Sequence, residues 1–156
     1  YSWIQQRYLD PVTNEKFIPY IIESTYGLDR TVLAVLFEHY HKEVLDNGEE
    51  REVLKLPTYL APYKVAVLPL VKKYHSEKAN EVYEKLSKNF MCTYDDTASI
   101  GKRYRREDVI GTPFCITVDD ETINNNTVTV RDRDTMKQEV IKLDDLLSYI
   151  EDKIRF

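Results

Sequence analysis

No apolar run in this chain approaches the ~20 residues that a membrane-spanning helix requires. Glycine is scarce, with four in 156 residues, and with only six prolines beside them little of the chain can serve as flexible linker. Two cysteines, Cys92 and Cys115, are too few for a disulfide framework. Each falls in an apolar, strand-like segment and reads as a reduced core residue of a cytosolic protein. His39, His41 and His75 sit on helix-like segments with no cysteine partners at ligand spacing, which argues against a zinc site. The opening residues, Tyr1 to Arg7, lack the basic start, apolar centre and small-residue cleavage site of a signal peptide. They also lack an initial Met, as expected of a piece of a longer protein. What remains is 42% hydrophobic and 31% charged, the balance of a globular rather than a disordered chain. The length suits one domain, or one domain plus part of another.

Against a formal net charge of -5, one run is conspicuously basic. Between Ser99 and Gly111, Lys102, Arg103, Arg105 and Arg106 crowd around Tyr104. Like charges so close repel, and an anionic ligand such as nucleic-acid phosphate would answer them. A solvated helix face balanced by Glu107, Asp108 and nearby carboxylates is the plainer alternative.

Turn residues at Asp10-Pro11-Val12-Thr13-Asn14-Glu15 predict a hairpin, and its second arm, Phe17 to Glu23, is apolar enough to expect burial. After Gly27 the period becomes helical, with Leu28, Val32, Leu36, Tyr40 and Val44 on one face and Asp29 at the favourable end of the dipole. Asn47-Gly48 marks a turn before an alternating strand, Arg51 to Leu56. Two prolines in Pro57 to Pro62 then interrupt regular structure, and a domain boundary is expected there. The piece before it is too small for a self-sufficient core and reads as the end of a larger domain.

Beyond the boundary, strands and helices alternate. Lys64 to Leu70 reads as a buried strand, followed by a helix through Ala79, Val82, Tyr83, Leu86 and Phe90, with Ser76 as its candidate N-cap. Strands come next at Met91–Asp95, Pro113–Val118, Thr127–Arg131 and Gln138–Leu143. The basic run opens a helix before the second of these, a polar turn at Asn124-Asn125-Asn126 joins that strand to the third, and a last helix carries Leu146 to Ile154. The expected class is α/β: a mixed five-stranded sheet with flanking helices over residues 64–156, preceded by the remnant of an antiparallel α+β domain over 1–56 and a linker over 57–63.

Two constellations carry chemistry. In Glu23-Ser24-Thr25-Tyr26-Gly27-Leu28-Asp29-Arg30 an apolar strand breaks into a helix. Gly27 would permit a tight turn or close approach by a ligand, and Arg30 could grip phosphate oxygens near exposed backbone donors. Glu23 would need a cation, which a ligand ammonium would supply. A merely structural turn, with Arg30 solvated and Glu23 in an ion pair, is equally compatible with the chemistry. The second constellation joins the basic run to the strands from Pro113 onward. Lys102, Arg103, Arg105 and Arg106 could hold RNA phosphates, and Tyr104 and Phe114 could stack on unpaired bases for ~1–3 kcal/mol each. Arg131 and Arg133 share one face of a strand, where they meet either RNA or the carboxylates of the sheet.

Residues Ile22 to Arg30 resemble the third signature motif of class II aminoacyl-tRNA synthetases, in its glycine-specific form. Leu60-Ala61-Pro62-Tyr63-Lys64-Val65-Ala66-Val67-Leu68-Pro69-Leu70 resembles the entry to that family's anticodon-binding domain. Asp95-Asp96, Ser99 to Arg106, Ile110 to Phe114 and Thr129 to Met136 continue the resemblance in order. It extends over nearly the whole chain, which is similar to the C-terminal part of the dimeric glycyl-tRNA synthetases.

The resemblance implies that Glu23, Ser24, Thr25, Tyr26 and Gly27 line a glycine site, the glutamate taking the amino group. It implies that Gly27, Leu28, Asp29 and Arg30 contact ATP, with Arg30 as the catalytic residue at the phosphate end, and that Mg2+ assists without ligands identifiable here. Lys102, Arg103, Tyr104, Arg105, Arg106, Phe114, Arg131 and Arg133 become the candidate contacts for glycine tRNA. A homodimer and a cytoplasmic location are implied for the full-length enzyme, and no resident metal is assigned to these residues. The chain departs from the family in having Ser24-Thr25 where Pro-Ser is usual. The family's first two motifs would lie upstream of Tyr1. A rival from another class is a non-catalytic nucleic-acid-binding subunit of the same architecture, like the accessory subunit of mitochondrial DNA polymerase, which would have no need of Glu23, Gly27 and Arg30.

Overall fold

The computed structural model describes residues 7–20 and 22–155. By its internal contacts the chain divides into two compact units, Tyr1–Val32 and Leu33–Phe156.

In the first unit the predicted hairpin forms from β1 (Tyr8–Leu9) and β2 (Lys16–Phe17), antiparallel with Tyr8 opposite Phe17. The Asp10 carboxylate accepts from the Val12 and Thr13 N–H groups, which together hold its pKa below the usual carboxylate value. The second arm is shorter than expected. The strand ends at Phe17, and Ile18 and Ile22 are exposed at 60% and 96%, so the expected burial is not seen among the described residues; Ile21 lies outside them. An apolar segment is buried only where a second layer covers it, and here no other described strand pairs with it.

Helix α1 (Leu28–His39) begins as its period predicts but stops before Tyr40 and Val44. Those two residues belong to β3 (Tyr40–Val44), which pairs antiparallel with β4 (Glu50–Leu54) around the Gly48 turn. The four-residue spacing therefore runs across a helix–strand junction. It is a property of the sequence that the hairpin overrides.

The sheet of the second unit has the order β6-β5-β7-β8-β9, from β5 (Val65–Pro69), β6 (Cys92–Tyr94), β7 (Phe114–Val118), β8 (Thr127–Asp132) and β9 (Gln138–Lys142). The β6, β5 and β7 strands run parallel, and β8 and β9 continue antiparallel, as the sequence pattern predicts. Every residue of β5 and β7 is buried, as strands covered on both faces must be. On one face α2 (Lys72–Ser87) and α5 (Leu146–Ile154) pack Ala79, Val82, Leu86, Leu146 and Ile150 against Val65, Val67, Phe114, Ile116, Val128 and Val130. On the other, Ile100 and Tyr104 of α3 (Ile100–Ile110) cover Ala66, Leu68 and Cys115. Burial pushes the Cys92 thiol up to about 11 and raises the Cys115 thiol further, so both are protonated and inert.

Two local expectations change. Helix α2 starts at Lys72, earlier than Ser76, because the His75 ring accepts the Val71 N–H through Nδ1 at 3.0 Å and replaces a side-chain cap; Ser76 instead donates to the Lys72 carbonyl within the helix. The Asn124-Asn125-Asn126 turn is the end of a short helix, α4 (Asp120–Asn125), opened by an Asp119–Thr122 capping box and closed by Asn126 in the left-handed region. The proline-bearing segment 57–63, expected as a linker, lies inside the second unit. The Lys64 ammonium donates to the carbonyls of Thr58, Tyr59 and Ala61 at 3.0, 2.9 and 2.8 Å, and Arg133 holds the Leu56 carbonyl at 2.7 Å.

Candidate nucleic-acid interface

Helix α3 sorts its basic run by face. Arg103 is buried at 3% exposure, where it donates to the backbone carbonyls of Pro69 and Ala98 and ties the ends of two loops together. The Tyr104 hydroxyl lies 2.6 Å from Thr117 Oγ1, and the Arg131 guanidinium covers its ring at 4.8 Å from the centroid. That leaves Lys102, Arg105 and Arg106 toward solvent.

The structure places five of the candidate RNA contacts within the packing of the domain. Phe114 is a core side chain at 2% exposure, and Tyr104 is committed to the sheet. Arg103 and Arg133 spend their donors on backbone carbonyls, Arg133 also closing on Asp134 at 2.8 and 2.9 Å. Arg131 meets Asp108 at 2.8 and 3.1 Å. The physical reason is common to all: a cation or ring on the inner side of a covered sheet is desolvated and must be satisfied within the protein.

Asp108, fully buried, is the centre that the sequence reading missed. It accepts from Arg131 of β8 and, at 2.8 Å, from Nε of Arg51 on β4. Arg51 is itself only 1% exposed and also reaches Glu43 at 3.0 Å. One carboxylate thus joins the hairpin, α3 and the sheet. Two signals were present: Arg51 shares a strand face with Val53, and Asp108 continues the inward stripe of Ile100 and Tyr104 at intervals of four. Beside it, burial pushes the Glu107 carboxyl above its usual value, and the Thr112 and Thr93 hydroxyls answer it at 2.6 and 3.3 Å. Gly111 closes α3 at φ +90°, and a Cβ there would stand 2.9 Å from the Leu54 carbonyl oxygen, so glycine is needed for both conformation and space.

Exposed cations of α2 and α3 follow the carboxyl ends of two of the parallel strands. In open α/β sheets those ends are where ligands are received. Here β5 leads to Lys72 and Lys73 at the start of α2, and β6 leads through Asp95 to Ala98 into α3. Lys72 meets Asp96 at 3.1 Å, Arg105 meets Glu49 at 3.2 Å, and Arg106 closes on Asp95 and on the Thr97 carbonyl. Although burial opposes it, hydrogen bonds from Thr97 and Arg106 hold the Asp95 pKa below the ordinary range.

The Glu23 to Arg30 segment belongs to the first unit through its internal contacts, and every one of its side chains is exposed. The Thr25 hydroxyl donates to Glu23 at 3.5 Å, and the Gly27 carbonyl accepts both the N–H and the hydroxyl of Thr31 at 3.0 Å. Gly27 is not in the left-handed region, and a Cβ would meet only the Arg30 side chain at an ordinary 3.7 Å. The expected tight turn is therefore absent. Glu23 is exposed rather than buried at a strand end.

Residues 64–153, which begin just before β5 and end within α5, match the protein family described as the anticodon binding domain. The chain belongs to that family. The anticodon-binding domain so defined contains the whole five-stranded sheet, and α3 with its exposed cations lies inside it. The full chain is 57% identical over 149 residues to a glycine–tRNA ligase of Clostridium kluyveri, covering 96% of this chain and 32% of that protein. It is 54% identical over 156 residues to one from Alkaliphilus metalliredigens, covering 100% and 34%. The chain thus spans about a third of the length of the curated relatives it matches. Among solved structures, the RNA binding domain of a threonyl-tRNA synthetase from Cryptosporidium parvum superposes with a TM-score of 0.59 at 28% identity, over 64% of this chain and 25% of that one. A prolyl-tRNA synthetase of the same organism gives the same score and identity, over 65% and 22%. These are anticodon-domain neighbours with the mixed sheet and flanking helices described above.

Among the described residues no three His, Cys, Asp or Glu side chains gather to hold a metal ion, so no residue here is assigned to Mg2+. Among the same residues no helix is long and apolar enough to cross a membrane.

Proposed function

We propose that this chain is part of a glycine–tRNA ligase, in which residues 64–156 bind the anticodon stem-loop of glycine tRNA and residues 1–56 complete the catalytic domain. The observation that carries this reading is the 57% identity to a glycine–tRNA ligase over 96% of the chain, the motif 3 segment included. In the full enzyme, ATP-dependent attachment of glycine would use Glu23 to receive the substrate ammonium, with Ser24, Thr25, Tyr26 and Gly27 shaping a small pocket. Gly27, Leu28, Asp29 and Arg30 would face ATP, and Arg30 would stabilise charge on the phosphates. Such chemistry depends on positioning and on preorganised charge. Dimerisation, a cytoplasmic location and the use of Mg2+ belong to the same proposal.

The RNA-facing set is Lys102, Arg105 and Arg106, joined by Lys72 and Lys73. Glycine tRNA is expected to bind the 156-residue chain more tightly than the same tRNA with its anticodon changed. If three to five cations engage phosphates, log Kd should vary with log salt with a slope of about 2 to 3.5. Fluorescence anisotropy at several salt concentrations checks both, and equal binding of the two RNAs would reduce the domain to a general polyanion binder.

The isolated chain is further expected to support no glycine-dependent ATP–pyrophosphate exchange. The motif 2 arginine that the resemblance assigns to the α-phosphate is not in this sequence. Clear exchange activity would overturn that assignment.

A further inference from the structure

Among the cations of the proposed RNA surface, two are paired with carboxylates from distant parts of the domain. Lys72, 69% exposed at its side chain, is held by Asp96 at 3.1 Å; Arg105, 36% exposed, is held by Glu49 at 3.2 Å. Both pairs join residues far apart in sequence. Glu49 comes from the turn of the β3–β4 hairpin and is 66% exposed, and Asp96 comes from the loop after β6. Exposed ion pairs of this kind add little to stability. A protein whose net charge is already -5 gains nothing in solubility from two more carboxylates set against these two cations. Their placement has another consequence. Any phosphate that approaches Lys72 or Arg105 must lie beside a carboxylate.

We propose that Glu49 and Asp96 are specificity-determining residues that screen Lys72 and Arg105 from RNAs lacking the correct bases. Binding to the wrong RNA is almost wholly electrostatic, so it bears the full cost of holding phosphates beside the two carboxylates. A loop whose bases dock correctly has another option. Its base edges carry exocyclic amino donors, which a carboxylate can accept without surrendering its cation. The screen therefore weakens the wrong complexes more than the right one, which is how a repulsive element creates discrimination. Arg106 and Asp95 are not part of the screen. Asp95 also receives the Thr97 N–H and hydroxyl, so that pair builds the loop itself.

The inference rests on the anticodon-binding reading, and one experiment separates the two. Affinities of the 156-residue chain are measured for the anticodon stem-loop of glycine tRNA and for the same stem-loop with all three anticodon bases changed. The unsubstituted chain is compared with Glu49→Gln, Asp96→Asn and the double variant. Substitution is expected to tighten the changed stem-loop about three- to ten-fold at low salt, and to leave the unchanged one equal or weaker, so that the ratio narrows. A ratio that stays constant or widens, with the unsubstituted chain discriminating, overturns the screen alone. No discrimination by the unsubstituted chain overturns both readings. Glu49 sits at an exposed turn, so Glu49→Gln keeps the test sound even if Asp96→Asn disturbs its loop.

Discussion

Asp108→Ala is expected to destabilise the protein by about 3–5 kcal/mol, the size seen when one partner of a buried ion pair is removed. The carboxylate is fully buried and answers two arginines, which are 1% and 6% exposed. Its loss would leave the Arg131 guanidinium desolvated without that countercharge and reduce Arg51 to its pair with Glu43, and the cost comes from those under-compensated buried cations. The triple change Asp108→Leu, Arg51→Met, Arg131→Met removes the three buried charges at once and should recover most of the loss. Urea denaturation of the two variants measures the difference. Native-state hydrogen exchange adds a local reading: in Asp108→Ala the amides of β3 and β4 should lose protection before those of β5 and β7, since Arg51 is the hairpin's buried charged tie to α3. A loss below about 1 kcal/mol would show that the network does not hold the hairpin.

Phe114→Ala is the second large effect, also expected at about 3–5 kcal/mol. The ring is 2% exposed and sits among Val65, Ile116, Val130 and the inner residues of α2 and α5. Truncation removes most of its transfer energy and leaves a cavity that a sheet covered on both faces can close only in part. The result also separates the two roles open to an aromatic residue in an RNA-binding domain. A base-stacking ring would lose RNA affinity with little change in stability. A core ring does the reverse, so Phe114→Ala should bind RNA with unchanged affinity well below its lowered melting temperature. Thermal unfolding and, separately, stem-loop titration test both halves.

The same contrast explains how far the sequence could be read. The α/β class, the five strands, the helix carrying the basic run and the family resemblance were all legible, because periodicity and signature motifs are local. The order β6-β5-β7-β8-β9 agrees with the expected mixed pattern. What misled was inference about where side chains point. Arg131 and Arg133 were correctly placed near one another, but both are covered, where Asp108 supplies a carboxylate and Gly111 and Leu56 supply carbonyl acceptors. The helical spacing of Tyr40 and Val44 gave way to a hairpin whose Arg51 is tied to Asp108, 57 positions away. The N-cap at Ser76 lost to a histidine that the sequence alone ranked only as a poor metal ligand.

Local chemistry along the chain was enough to establish that an α/β domain comes after a synthetase-like motif, and that a basic helix sits at a strand-to-helix junction. Packing in three dimensions chose which of that helix's cations can meet RNA. Charge density is visible in one dimension. Desolvation is not: whether a guanidinium is a ligand-binding group or a satisfied structural one depends on what packs over it. In α3 that sorting buries Arg103, covers Tyr104, and leaves Lys102, Arg105 and Arg106 outside. The run that stood out against an acidic chain commits Arg103 to holding the fold and turns its other cations to the surface.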